Sequence, residues 1–190
     1  MYERGVERMT QPTILVLPGL GDSGPDHWQS WLEGRVPDLT RVDLGDWDAP
    51  EPERWVERLD SAVRVAAGPV VLVAHSLSCI LVARWAAGSS AADKVAAALM
   101  VAPPDVESAR IVPAGACRFA PVPSDPLPFP AVVVGSRSDP YCTAARACGF
   151  AALWGADFID AGEAGHINSA SGHGPWPMGE TLLKDLLAQI

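Results

Sequence analysis

The chain lacks any concentration of positive charge. Its 14 lysines and arginines are scattered against 23 acidic residues, for a formal net charge of −9 over 190 residues. Nucleic acid needs a local basic patch to offset phosphate repulsion, so no nucleic-acid partner is expected. Long uninterrupted apolar runs are missing too. The longest, residues 70–87, is broken by His75, Ser76, Ser78 and Arg84 and does not read as a membrane span. The amino terminus, Met1-Tyr2-Glu3-Arg4-Gly5-Val6-Glu7-Arg8, is charged and has no apolar segment of an export signal. Met9, before Thr10-Gln11-Pro12, is as good a start as Met1, and residues 1–12 read as an N-terminal extension. The four cysteines, Cys79, Cys117, Cys142 and Cys148, have no paired metal-ligand spacing. Without an export signal they read as reduced thiols, and the cytoplasm is the expected compartment.

What is present is a globular composition, 48% hydrophobic and 19% charged, in a length that suits one domain over residues 13–190. Short β-rich runs alternate with longer helical patterns. Strands are expected over residues 13–18, 41–44, 70–74, 97–102, 131–136 and 157–160. Helices are expected over 27–34, 51–67, 77–87, 142–154 and 179–190. Several strand runs are continuously apolar, as parallel strands covered on both faces must be. The helix over 51–67 carries Trp55, Val56, Leu59, Ala62, Val63 and Ala66 as one apolar stripe. Strand–helix alternation predicts an α/β doubly wound, mostly parallel sheet of about six strands. Residues 103–130, broken by eight prolines, read as an irregular surface connection that also offers a wall beside the strand ends.

The richest stretch is Val70-Val71-Leu72-Val73-Ala74-His75-Ser76-Leu77-Ser78-Cys79, an apolar strand opening directly into a helix. A serine at such a turn has the setting of a nucleophile elbow, with small residues required two before and two after it. Those places hold Ala74 and Ser78 where glycine is usual. A serine hydroxyl needs a base, and the base an orienting group. Asp139, in Gly135-Ser136-Arg137-Ser138-Asp139-Pro140, follows the fifth strand, and His166, in Gly165-His166-Ile167-Asn168, follows the sixth. The order Ser, acid, His along successive strand ends is that of an α/β-hydrolase triad. Each residue also has a plainer reading: Ser76 as a helix cap, Asp139 as a turn residue and His166 as a structural loop residue. The loop Pro18-Gly19-Leu20-Gly21-Asp22-Ser23-Gly24 lacks both the phosphate-loop lysine and the dinucleotide glycine spacing. Its Leu20 amide, with that of Leu77, is the candidate oxyanion hole, and Gly19 and Gly21 allow close backbone approach. His27, Trp28 and His75 are candidate pocket residues. Trp28 and Trp31 equally suit the buried stripe of a short helix, and His75 equally suits a packing role. Neither Asp26 with His27 nor His166 with His173 has the compact spacing of a zinc site, so no metal and no cofactor is expected.

Together, Pro18-Gly19-Leu20-Gly21, Asp26-His27-Trp28-Gln29-Ser30-Trp31, the Ala74-to-Ser78 elbow, Ser138-Asp139-Pro140-Tyr141, Gly165-His166-Ile167-Asn168 and the tail Ser171-Gly172-His173-Gly174-Pro175-Trp176-Pro177 carry a family resemblance. From about Thr13 onward the chain resembles the small serine hydrolases of the YdeN and retinoblastoma-binding-protein-nine type. That resemblance implies an α/β-hydrolase fold, a minimal core without a large lid domain, and a triad of Ser76, Asp139 and His166. The expected activity is hydrolysis of a small ester, thioester or amide through an acyl-enzyme, with a small-molecule acyl substrate as partner. The alternative is a protein-interaction module that keeps the hydrolase fold. A protein partner or a homo-oligomer is compatible with the sequence.

Overall fold

The computed structural model describes residues 11–190, so residues 1–10 of the expected extension, with Met1 and Met9, lie outside the described residues. Six strands form one sheet: β1 (Thr13–Leu17), β2 (Leu39–Arg41), β3 (Val70–His75), β4 (Val95–Val101), β5 (Ala131–Gly135) and β6 (Asp157–Asp160). Their spatial order is β2-β1-β3-β4-β5-β6, and every pairing is parallel. The doubly wound sheet expected from the alternation is therefore present.

The two-residue period of the strands sorts their side chains between two cores. On one face lie Leu15, Leu17, Val70, Leu72, Ala74, Ala98 and Met100. They meet the apolar sides of α2 (Pro52–Val65), α3 (Leu77–Ala86) and α5 (Ala144–Trp154). The other face holds Ile14, Val16, Val71, Val73, Leu99 and Val101 under α1 (Trp28–Glu33) and α6 (Pro177–Leu187). All six residues of β3 are buried, which is why its sequence is a continuous apolar run with no alternation.

Two strands are displaced from expectation by two residues or more, while the other strand ends differ by at most one. The second strand occupies Leu39–Arg41 and not residues 41–44: Ile14 pairs with Leu39 and Val16 with Arg41, and the last ladder bond is Val42 N to Val16 O at 3.0 Å. Val42 and Leu44 are buried as apolar anchors of the following loop, and that burial imitates a strand in the sequence pattern. The fourth strand begins at Val95, which pairs with Val70 two residues earlier than expected. Residues 103–130 are irregular apart from the single turn of α4 (Ala114–Cys117). Among the described residues no helix is long and apolar enough to cross a membrane.

Candidate active site

Strand order places the site. From β1 the chain goes to one edge of the sheet and returns to β3 on the other side of β1, then continues in the opposite direction. The loops leaving β1 and β3 therefore diverge and open a crevice at their carboxyl ends, the topological switch point where ligands bind in such sheets. Gln29 closes the base of that crevice. Wholly buried in α1, it donates through Nε2 to Leu17 O (3.2 Å) and Val73 O (3.1 Å), and its Oε1 accepts from Ser23 Oγ (2.6 Å). Gln29→Leu keeps the volume but strands these partners without water. It is expected to cost about 2–4 kcal/mol in chemical denaturation.

Ser76 stands at the turn between β3 and α3 with φ 54° and ψ −125°, a conformation side-chain-bearing residues rarely adopt. Its amide donates to Val101 O at 2.8 Å, which anchors the turn to β4. A Cβ at Gly19 would lie 2.8 Å from the Ser76 Cβ, so only glycine lets the β1 loop close over the serine. The serine in place of the second elbow glycine has its own function: Ser78 Oγ donates to Pro18 O and pins that loop to α3. Ser76 occupies the helix-cap position, yet its side chain makes no capping bond. Its hydroxyl bonds instead to the histidine after β6.

Ser76 Oγ lies 2.8 Å from His166 Nε2, and His166 Nδ1 lies 2.9 and 3.1 Å from the two oxygens of Asp139. A carboxylate facing Nδ1 calls for the proton there, which leaves Nε2 to accept from the serine hydroxyl. The Asp139 and His166 side chains are only 2% and 8% exposed. Asp139 is also the turn residue of its plainer reading, since its Oδ1 accepts from Tyr141 N at 2.8 Å. The Tyr141 ring packs edge-on against His166 at 4.7 Å. Two serines tie the loops after β5 and β6 together. Ser136 Oγ accepts from Ala164 N (3.0 Å), and Ser138 Oγ accepts from Gly165 N (2.9 Å). Gly165, at φ +58°, could carry no side chain, because its Cβ would fall 2.5 Å from that of Ser171.

A cleft of about 180 Å³ opens over the serine. Leu20, Pro104, Val112, Pro113 and Ala116 give it an apolar side, while His27 and Asn168 are among its polar lining. Residues 103–130 thus supply part of the wall. Of the expected pocket residues, His27 and His75 line this cleft. Trp28, Gly19 and Gly21 do not. Trp28 is turned into the core beneath α1, wholly buried, with its ring 5.0 Å from that of Trp176. Gly19 is buried against Ser76, and Gly21 is exposed in the loop at φ +78°. His75 combines both expected roles: besides lining the cleft, its Nε2–H donates to His166 O at 3.0 Å and so holds the histidine loop. Burial, reinforced by His166 and His27, lowers the pKa of His75 well below the ordinary histidine value. For His27 burial is again the main cause, with the Arg41 guanidinium next, and its pKa falls to about 4. Both rings are therefore neutral near pH 7. The amides of Leu20 and Leu77 donate to no protein acceptor among the described residues, and both residues line the cleft.

Residue type alone did not expose Gln29 and Ser78. The signal for Gln29 was a polar residue beside Trp28 on a short helix that must bury one face. All four cysteines are unpaired, Cys79 and Cys142 in the interior. Burial pushes the Cys142 thiol up to about 12, so it offers no thiolate to compete with the serine. Among the described residues no three His, Cys, Asp or Glu side chains are gathered as a metal would require.

The sequence profile of the family described as Serine hydrolase matches residues 14–185. No curated protein sequence gives a significant match. Among solved structures, a YdeN-like hydrolase from Pectobacterium atrosepticum is 31% identical, with a TM-score of 0.82 over 94% of this chain and 91% of that one. The ydeN gene product of B. subtilis is 16% identical, with a TM-score of 0.74 over 93% of this chain and 99% of the other. The type II thioesterase BorB of the borrelidin biosynthetic cluster shares the fold, at 16% identity and a TM-score of 0.64 over 93% of each chain. With the profile spanning nearly all of its sheet and helices, the chain belongs to the serine hydrolase family, in the YdeN-type group of α/β-hydrolases.

Proposed function

We propose that this hydrolase acts without a cofactor on a small ester, thioester or amide, with residues 13–190 as its one domain and an acyl-enzyme on Ser76 as its intermediate. The observation that carries the reading is the continuous relay from Ser76 Oγ through His166 to Asp139, with links of 2.8 and 2.9 Å. In this reading Ser76 Oγ attacks the acyl carbonyl as His166 Nε2 takes its proton. Asp139 orients the imidazole and stabilises its charged form without taking the proton itself. The amides of Leu20 and Leu77 bind the oxyanion, where fixed dipoles stabilise charge without reorganising. His166 returns the proton to the leaving group, which departs. Water, deprotonated by the same nitrogen, then attacks the acyl-enzyme and releases the acid.

The cleft sets the size of the acyl group. At about 180 Å³ it is slightly larger than an engineered apolar cavity of roughly 150 Å³ that holds benzene. With a series of p-nitrophenyl esters, kcat/KM is expected to peak at acyl chains of about two to six carbons and to fall at least about tenfold by decanoate. One equivalent of a fluorophosphonate should stop turnover. Background rates on every ester, with the fluorophosphonate inert, would leave a binding module that keeps the hydrolase fold.

A further inference from the structure

His27 is placed and wired as more than a cap. It precedes α1, and its Nδ1 accepts the backbone N–H of Gln29 at 3.2 Å. That bond fixes the tautomer by geometry alone. An Nδ1 facing an N–H must present its lone pair, so the ring's proton resides on Nε2. Nε2 has no hydrogen-bond partner among the described residues, although the residue is only 4% exposed and lines the cleft. A buried imidazole therefore offers one unused donor to whatever occupies the site. An unpaired donor in such surroundings is a recognition element, because an occupant without an acceptor leaves it desolvated and unsatisfied.

The side of the cleft follows from its neighbours. The His27 ring is 4.7 Å from that of His75, which is 5.0 Å from that of His166, so the three rings form a row ending at the base. Trp28 N donates to His173 O at 3.0 Å, joining the start of α1 to the loop that carries His166. The apolar side lies elsewhere: a Cβ at Gly115, in α4, would be 3.7 Å from Leu20 Cδ1, so Leu20 and α4 form one wall. The base delivers its proton to the leaving group, which must therefore lie on the side of His166. This step rests on the serine hydrolase reading above.

The geometry points to His27 as a specificity-determining residue whose Nε2–H donates a hydrogen bond to an oxygen carried by the leaving group. The substrate class is thus a small apolar acyl group esterified to an alcohol bearing a further acceptor oxygen. The acyl chain rests on the wall of Leu20, Val112, Pro113 and Ala116, and the oxygenated portion reaches His27. Burial, helped by Arg41, His166 and His173 and opposed by Asp22, holds the imidazole at a pKa of about 4, and with His75 beside it the ring is neutral near pH 7.

The test compares two esters of the same short acid, the 2-methoxyethyl and the n-butyl, which differ only by an oxygen for a methylene. Wild-type kcat/KM is expected to favour the methoxyethyl ester by about fivefold to tenfold, the worth of one satisfied donor. In His27→Ser a hydroxyl still caps α1 but cannot reach the cleft, and the ratio should collapse to about one. His27→Ala should give the same collapse without the cap. Because each ratio is taken within one protein, loss of active fraction or stability does not move it. A wild-type ratio near one, or a ratio unchanged in both variants, overturns the assignment of His27 while leaving the hydrolase reading intact. No turnover of either ester, with the fluorophosphonate unreactive, overturns the hydrolase reading and the His27 assignment with it.

Discussion

Ser76→Ala is expected to reduce ester turnover by roughly 10⁵-fold, to the small acceleration that binding and the oxyanion donors alone provide. In the proposed mechanism the loss is this large because Ser76 supplies the bond-forming atom, and the relay behind it has no other hydroxyl to activate. Ser78 is two residues away, but its hydroxyl is committed to Pro18 O and faces the loop and not the base. Cys79 is sealed beneath the elbow, where burial raises its thiol pKa well above the ordinary value and Sγ bonds to Val101 O. The fold should survive. Alanine meets the same backbone demand at φ 54° as serine does, and the turn is held by Ser76 N to Val101 O and Cys79 N to Ser76 O, both main-chain bonds. Circular dichroism and thermal unfolding should therefore match wild type within about 1 kcal/mol while turnover vanishes.

Asp139→Asn is expected to cost about 10⁴-fold in kcat with little change in KM. The structure dictates which way the new amide points. Tyr141 N–H requires an acceptor at the Oδ1 position, 2.8 Å away, so the amide nitrogen takes the place of Oδ2, 2.9 Å from His166 Nδ1. An N–H facing Nδ1 forces the histidine into the other tautomer, with its proton on Nε2. Nε2–H then donates to Ser76 Oγ across the 2.8 Å gap, and no lone pair is left there to accept the hydroxyl proton. The turn keeps its bond to Tyr141, so stability should hold. Asp139→Ala would also lose that turn, and its rate loss would be confounded with folding. Steady-state kinetics on a p-nitrophenyl ester, beside a denaturation curve, separates the two.

The parts of the site legible in the sequence are those set by strand ends. Ser76 and Asp139 each follow a run whose apolar pattern marks a buried parallel strand, and His166 follows the short, half-exposed edge strand β6. Parallel strands bring their carboxyl ends to one edge of the sheet, so order along the chain became proximity in space. The fold class followed from the same alternation. The less legible parts depend on packing between segments distant in sequence. Ser78 reads in the sequence as a weakened glycine, because its partner, Pro18 O, lies 60 residues away along the chain. Gln29 looked like an ordinary helix residue, because its three partners come from strands and a loop that the sequence does not place together. Trp28 was ambiguous for a physical reason: a large aromatic beside a binding loop suits a pocket or a core equally, and Trp176, nearly 150 residues away, decides for the core. The second strand lies earlier than expected because Val42, whose amide closes the ladder, and Leu44 are buried beyond the paired residues Leu39–Arg41. The proline-rich segment hid its wall residues, since Val112, Pro113 and Ala116 have no periodicity to announce them.

The central claim is that Ser76 is an activated nucleophile. It is tested most directly by treating the purified protein with a fluorophosphonate and locating the adduct by mass spectrometry. The account predicts one adduct per chain, confined to the peptide carrying Ser76, formed far more slowly in Asp139→Asn and absent from Ser76→Ala. An adduct on another residue, or labelling that persists undiminished in Ser76→Ala, would contradict it.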